Sequence, residues 1–287
     1  MSTRTTRLAL AVLAAATAVA TTATPAAAEP LNYVALGDSY AAGSGVLPIA
    51  PGSPLLCLQS AKNYAKVIAG ATGATLTDVT CGAAETRHFT TAQYPGLRPQ
   101  LDAVTADTDL VTVNIGGNDN SVFATAVLAC GSAGLLTLGF GSPCKNTWGG
   151  HFTRQIEEKT YPAVKAALEG VHRKAPNARV AILGYPWIVP TEFDRPCFTK
   201  LPIARGDVPY MRAVQGRLND VIARAAAETG SVFVDLAAVS NGRDACKPSG
   251  TRWVEPLFNV AELSIVHPNT RGEAGMAAEA MRVLGLG

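Results

Sequence analysis

Tyr33-Val34-Ala35-Leu36-Gly37-Asp38-Ser39-Tyr40 decides how the rest of the chain is read. An apolar run of strand character meets a Gly-Asp-Ser turn, and small residues follow from Ala41 to Gly45. A strand ending in such a turn would project Ser39 from the C-terminal edge of a sheet, where open α/β folds gather their sites. Outward from there, strands are expected at Ala74–Val79, Leu110–Ile115, Val180–Leu183 and Val232–Leu236. Helical periodicity is expected over Ser60–Ala69, Ser121–Cys130, Phe152–Arg173, Met211–Thr229 and Thr270–Leu284, with a short helix at Arg98–Val104. Strands and helices alternate five times, with no internal repeat and no linker. That pattern predicts an α/β fold, a single three-layer domain over residues 29–287 built on a mainly parallel five-stranded sheet.

The ends and the composition bound the setting. Arg4 and Arg7 precede an apolar run, Leu8 to Ala20, and a small-residue segment ends at Ala26-Ala27-Ala28. This is the layout of a secretory signal peptide over residues 1–28, so a secreted, extracellular product is expected. Without it, 24 basic and 22 acidic residues become 22 and 22, a formal charge of zero, because the removed segment holds two arginines and no carboxylate. No basic patch stands out, which excludes nucleic acid as the expected partner. Nothing signals an oligomer, and a monomer is expected.

Six cysteines (Cys57, Cys81, Cys130, Cys144, Cys197, Cys246) fit an oxidising compartment and three disulfides. No Cys-x-x-Cys spacing occurs and no histidine closely follows a cysteine, so no metal is expected. Fifteen pairings are open to six cysteines. Nearest-neighbour pairing is the simplest, since each such pair brackets a loop-like segment.

A serine hydroxyl needs a base to attack, and histidine is the usual one near neutral pH. Of the histidines, His88, His151 and His172 lie in polar or solvated settings, whereas His267 stands before Pro268 at a loop-to-helix junction. Gly82 follows the second strand. Asn118, in Gly116-Gly117-Asn118-Asp119, follows the third. Backbone N–H groups at Ser39 and Gly82, with the Asn118 amide, could form an oxyanion hole. Asp38 reads as a turn-stabilising residue, because neighbouring side chains on an extended segment point oppositely.

Gly37-Asp38-Ser39-Tyr40, Gly82, Gly116-Gly117-Asn118-Asp119 and His267-Pro268-Asn269 resemble, in order, blocks I, II, III and V of the SGNH (GDSL) hydrolase superfamily. The flanking sequence and the six cysteines are similar to its branch of secreted actinomycete lipases and esterases. The resemblance implies a flavodoxin-like α/β/α sandwich with disulfides 57–81, 130–144 and 197–246. It also implies Ser39 as nucleophile, His267 as base, Ser39, Gly82 and Asn118 as oxyanion donors, and no cofactor. One departure stands out: the aspartate usual three residues before the histidine is Ser264 here. In the branch it resembles, a backbone carbonyl takes that role. The expectation is therefore a Ser–His dyad oriented by the carbonyl of Ser264, with Ile265 or the Glu262 carboxylate as the other candidates.

The resemblance implies a lipid or other carboxylic ester as substrate, acylglycerols first and phospholipids second. Gly134-Leu135-Leu136-Thr137-Leu138-Gly139-Phe140 reads as an apolar loop at the site, in contact with acyl chains or in transient contact with a lipid surface, or else as a locally packed core loop. A carbohydrate-type acetyl esterase and a non-catalytic secreted binding module are the competing readings.

Overall fold

The computed structural model describes residues 29–286, so the expected signal peptide (residues 1–28) lies outside the described residues. Five strands form the sheet: β1 (Asn32–Gly37), β2 (Thr75–Asp78), β3 (Leu110–Asn114), β4 (Arg179–Leu183) and β5 (Val232–Val234). All neighbours are parallel, in the order β2-β1-β3-β4-β5. This is the flavodoxin-like order.

Period-two alternation explains how one sheet serves two cores. Val34, Leu36, Val111, Val113, Val180 and Ile182 point to one face. There they meet α6 (Tyr161–Lys174) through Val164, Leu168 and Val171, and α8 (Val208–Thr229) through Val214, Leu218 and Val221. Tyr33, Ala35, Ala181 and Leu183 point the other way, onto α2 (Tyr64–Thr72) and α10 (Thr270–Leu284). Strands buried on both faces read as continuous apolar runs, which is why β1 and β3 stand out in the sequence.

Several boundaries differ from expectation for identifiable reasons. Helix α2 begins four residues late because Asn63 is its cap, accepting from the Lys66 N–H, while Ser60 pairs with Ile49 in an isolated bridge. Arg98–Val104 contains only a 3₁₀ turn, Gln100–Ala103. The long helix expected over 152–173 is α5 (His151–Gln155) joined to α6 by a π-turn at Ile156–Thr160. Pro162 lacks an N–H and would crowd the preceding turn of a regular helix, and the wider turn accommodates it. Helix α3 runs Val122–Leu136, six residues beyond expectation. Gly134 is no breaker there: a Cβ on it would lie 2.0 Å from the Pro202 carbonyl, so the glycine permits close packing.

Disulfides join Cys57–Cys81, Cys130–Cys144 and Cys197–Cys246, as the resemblance implies. The second ties α3 to α4 (Pro143–Trp148). Closing loops of 14 to 49 residues typically stabilises by ~2–4 kcal/mol per bridge.

Candidate active site

The site sits on the C-terminal edge of the sheet. Ser39 opens α1 (Ser39–Ala42), directly after β1, and the bend between them depends on Gly37. Its φ is +145°, and a Cβ there would lie 2.4 Å from the Asn114 carbonyl and 2.7 Å from the Ala41 Cβ. Asp38 caps α1, accepting from the Tyr40 N–H, while its own N–H donates to the Asn114 carbonyl. The turn role expected for Asp38 is what the structure shows.

Ser39 Oγ lies 2.7 Å from His267 Nε2, and His267 Nδ1 lies 2.7 Å from the Ile265 carbonyl. A carbonyl only accepts, so Nδ1 carries the proton and Nε2 is free to take one from Ser39. Burial holds the imidazole below the ordinary value of 6.5, and the bond to the Ile265 carbonyl opposes that shift only in part. Neutral imidazole is the form a general base requires.

The expected acceptor, the Ser264 carbonyl, is instead bonded to the His267 backbone N–H at 2.9 Å. The reason is local geometry. Val266 is held at φ +57°, which turns the Ile265 carbonyl toward the ring. That conformation is costly for a β-branched residue. It is pinned by Tyr40, whose hydroxyl donates to the Val266 carbonyl at 2.6 Å, and by the Val266 N–H bond to the Glu255 carbonyl. Glu262 does not reach the ring. Its carboxylate caps α10, accepting from the Thr270 N–H and hydroxyl.

A buried ion pair anchors the same loop. Glu255 accepts from Arg252, from the Ala261 N–H and from the Asn269 amide. Burial pushes the Glu255 carboxyl up, but these four donors outweigh it and hold the group below the usual carboxylate value.

For the oxyanion, the Asn118 amide spends one hydrogen on the Ala84 carbonyl at 3.0 Å, leaving the other available. Ser39 N–H, first in its helix, makes no bond in the described structure. Gly82 departs from expectation: its N–H donates to the Cys57 carbonyl at 2.8 Å, and its carbonyl accepts from Gln93. In this conformation it anchors the disulfide loop rather than facing the substrate.

Tyr185, at the end of β4, escapes sequence reasoning altogether. Its hydroxyl donates to Asp38 at 2.5 Å and accepts from the Gly117 N–H at 2.8 Å, joining the nucleophile turn to the Asn118 loop. Burial pushes the Asp38 carboxyl up to about 7, against the Tyr185 and Tyr40 bonds. Only the position of Tyr185 after a strand could have signalled it, since no motif surrounds it. His88 accepts from the Glu85 N–H and His172 bonds to Ser231, so both have structural roles.

Ser39 and His267 open into a cleft of about 280 Å3, walled by Phe123, Val127 and Leu128 of α3 and by Leu257 and Val266 opposite. The apolar stretch 134–140 does not line it. Residues 134–136 end α3 and the rest form a turn, with Leu136, Leu138 and Phe140 exposed rather than packed in a core.

Residues 35–274 match the model of the GDSL-like Lipase/Acylhydrolase family. The chain belongs to that family. It is 61% identical to Lipase 2 of Streptomyces coelicolor over 265 residues, 92% of this chain and 90% of that protein. Among solved structures, it is similar to the extracellular lipase of Streptomyces rimosus (TM-score 0.72, 26% identity, 89% and 98% covered). A phospholipase A1 from Streptomyces albidoflavus is similarly close (TM-score 0.70, 26% identity, 90% and 99% covered). In this GDSL-family chain Ser39 and Asn118 therefore follow β1 and β3 as expected, and His267 lies in the loop before α10 with the Ile265 carbonyl behind its ring.

Proposed function

We propose that this GDSL-family protein is a secreted, monomeric, single-domain carboxylic-ester hydrolase acting on lipid esters. The observation that supports it is a Ser39–His267 pair opening onto an apolar cleft. Ser39 Oγ attacks the ester carbonyl while His267 Nε2 takes its proton. The oxyanion is held by Ser39 N–H and the Asn118 amide. His267 then passes the proton to the departing alcohol. Water, deprotonated by the same nitrogen, adds to the acyl-enzyme and releases the acid and Ser39. The Ile265 carbonyl fixes the tautomer and stabilises the imidazolium less than a carboxylate would.

Apolar cleft walls favour acyl chains over the acetyl groups of carbohydrates, in keeping with the relatives named lipase and phospholipase. The test is hydrolysis of p-nitrophenyl esters from acetate to palmitate by wild type and Ser39→Ala. Medium- or long-chain turnover, lost in the variant, is expected. Turnover of acetate alone would make the protein an acetyl esterase, and no turnover by wild type would make it a binding module.

A further inference from the structure

Helix α3 lies on the surface yet carries no charged residue in fifteen. Ala124, Leu128 and Leu135 share its outward stripe, since steps of four and seven residues return to one side of a helix. Leu128 is 66% exposed, Leu136 87%, Leu138 76% and Phe140 67%. A soluble protein rarely leaves so much contiguous apolar surface unless it binds something. By composition, Asp119–Leu136 could cross a membrane. The Cys130–Cys144 bridge and the packing of α3 on α4 and α8 hold it against the fold, so any membrane contact lies in the surface plane.

The stripe leads from the cleft to a groove of about 600 Å3 that is both aromatic and basic. Leu138, Phe140, Phe193 and Phe198 line it together with Arg195 and Arg205. The Arg205 N–H donates to the Gly139 carbonyl, which fixes its backbone beside the apolar turn. Neither arginine forms an ion pair among the described residues. Glu192 and Asp194 line the neighbouring groove instead, with Lys200 and Lys247. Exposed Phe258 adjoins this region through its N–H bond to the Lys200 carbonyl, and Leu263 and Ile265 continue along the histidine loop.

We infer that this face docks on an anionic lipid surface, with Leu136, Leu138 and Phe140 entering the headgroup region and Arg195 and Arg205 meeting lipid phosphates. The inference rests on the reading of the substrate as a lipid ester. It goes beyond that reading in assigning a surface outside the cleft and a preference for negatively charged membranes. Apolar insertion beside unpaired cations is the combination that binds anionic interfaces. Because the stripe begins at the cleft wall, docking would bring the cleft mouth to the interface.

The test is co-sedimentation of Ser39→Ala, which leaves the lipid intact, with vesicles of phosphatidylcholine alone or mixed with phosphatidylglycerol. Mixed vesicles should bind more protein, and added salt should weaken the binding. Adding Arg195→Gln and Arg205→Gln should reduce that binding about thirtyfold, as expected for two arginines near an anionic surface. Adding Leu136→Ser and Phe140→Ser should reduce it roughly tenfold or more. In the active background both pairs should leave turnover of soluble p-nitrophenyl butyrate unchanged, which separates docking from folding. Equal binding to both vesicle types, or indifference to the arginine pair, would overturn the proposal. So would a dimer in sedimentation that Leu136→Ser and Phe140→Ser dissociate, since the face would then belong to a second copy. Binding is read on the inert variant and turnover on the active one. Failure of the Ser39→Ala protein to bind either vesicle, with long-chain turnover intact in the active protein, would therefore overturn the docking proposal alone.

Discussion

The two halves of the Ser39–His267 pair are built in opposite ways. The nucleophile comes from a turn whose contacts are mostly close in sequence or on the adjoining strand: Gly37 makes the bend, Asp38 caps it, and β3 receives the Asp38 N–H. The base comes from a loop that holds no regular structure and a strained Val266, and is kept in place from elsewhere. Tyr40, 226 residues away, grips the Val266 carbonyl, and the buried Arg252–Glu255 pair with Asn269 anchors the loop behind it. A local turn can be specified by a motif. A loop held by distant contacts cannot, and substitutions far from the chemistry should reach the base more readily than the nucleophile.

The Asn118 loop adjoins the nucleophile side, and its removal should have the largest effect on turnover. Asn118→Ala should lower kcat on a short-chain ester by about 10²–10³-fold with little change in thermal stability. A loss below tenfold would move oxyanion stabilisation to other donors. On the base side, Glu255→Gln leaves a buried arginine short of its charge partner. Breaking such a pair costs about 3–5 kcal/mol, so thermal denaturation should show a midpoint lower by roughly 10 °C, with activity falling as the loop loosens. A variant as stable and active as wild type would break the comparison outright. The sign with pH follows from the depressed Glu255 carboxyl. Its contribution is complete above the ordinary value of 4.5 and is lost as pH falls below it.

Tyr185 joins the nucleophile turn to the amide loop, so Tyr185→Phe sharpens the comparison further. It orphans the Gly117 N–H and removes a donor from Asp38. A fall in kcat of about tenfold is expected, with KM nearly unchanged, as for loss of one buried hydrogen-bonding group. A change confined to KM would instead make Tyr185 a binding residue. The smallest effect belongs to Ser264→Ala, because among the described residues the Ser264 hydroxyl has no partner and its carbonyl serves only the His267 backbone. Activity within about twofold of wild type is expected, and a large loss would restore a side-chain role.

The same contrast explains what was legible in the sequence. The sheet could be read because doubly buried strands such as Leu110–Asn114 are continuous apolar runs, and Ser39, Asn118 and His267 because each lies in a short block at a strand or helix end. Ile265 could not be separated from Ser264, since the choice depends on a single left-handed residue, Val266, held by Tyr40 and Glu255. Gly82 has the place after β2 that suits an oxyanion donor, but its N–H is spent on the Cys57 carbonyl across a disulfide loop, a contact that its place in the sequence does not reveal. Gly131 and Gly134 look like breakers in the sequence, and α3 continues through them because the close approach of Pro202 requires a glycine at 134. Tyr185 acts through three elements at once, and no stretch of sequence contains them together.

The most direct test of a dyad backed by a carbonyl is an NMR titration of the His267 ring nitrogens in the free enzyme. The ring is expected to be neutral at pH 7 with its proton on Nδ1, titrating below the ordinary value of 6.5, with an acid limb of kcat/KM at the same pH. A ring that stays protonated above pH 7, as a carboxylate partner would make it, would rule out the carbonyl-backed dyad.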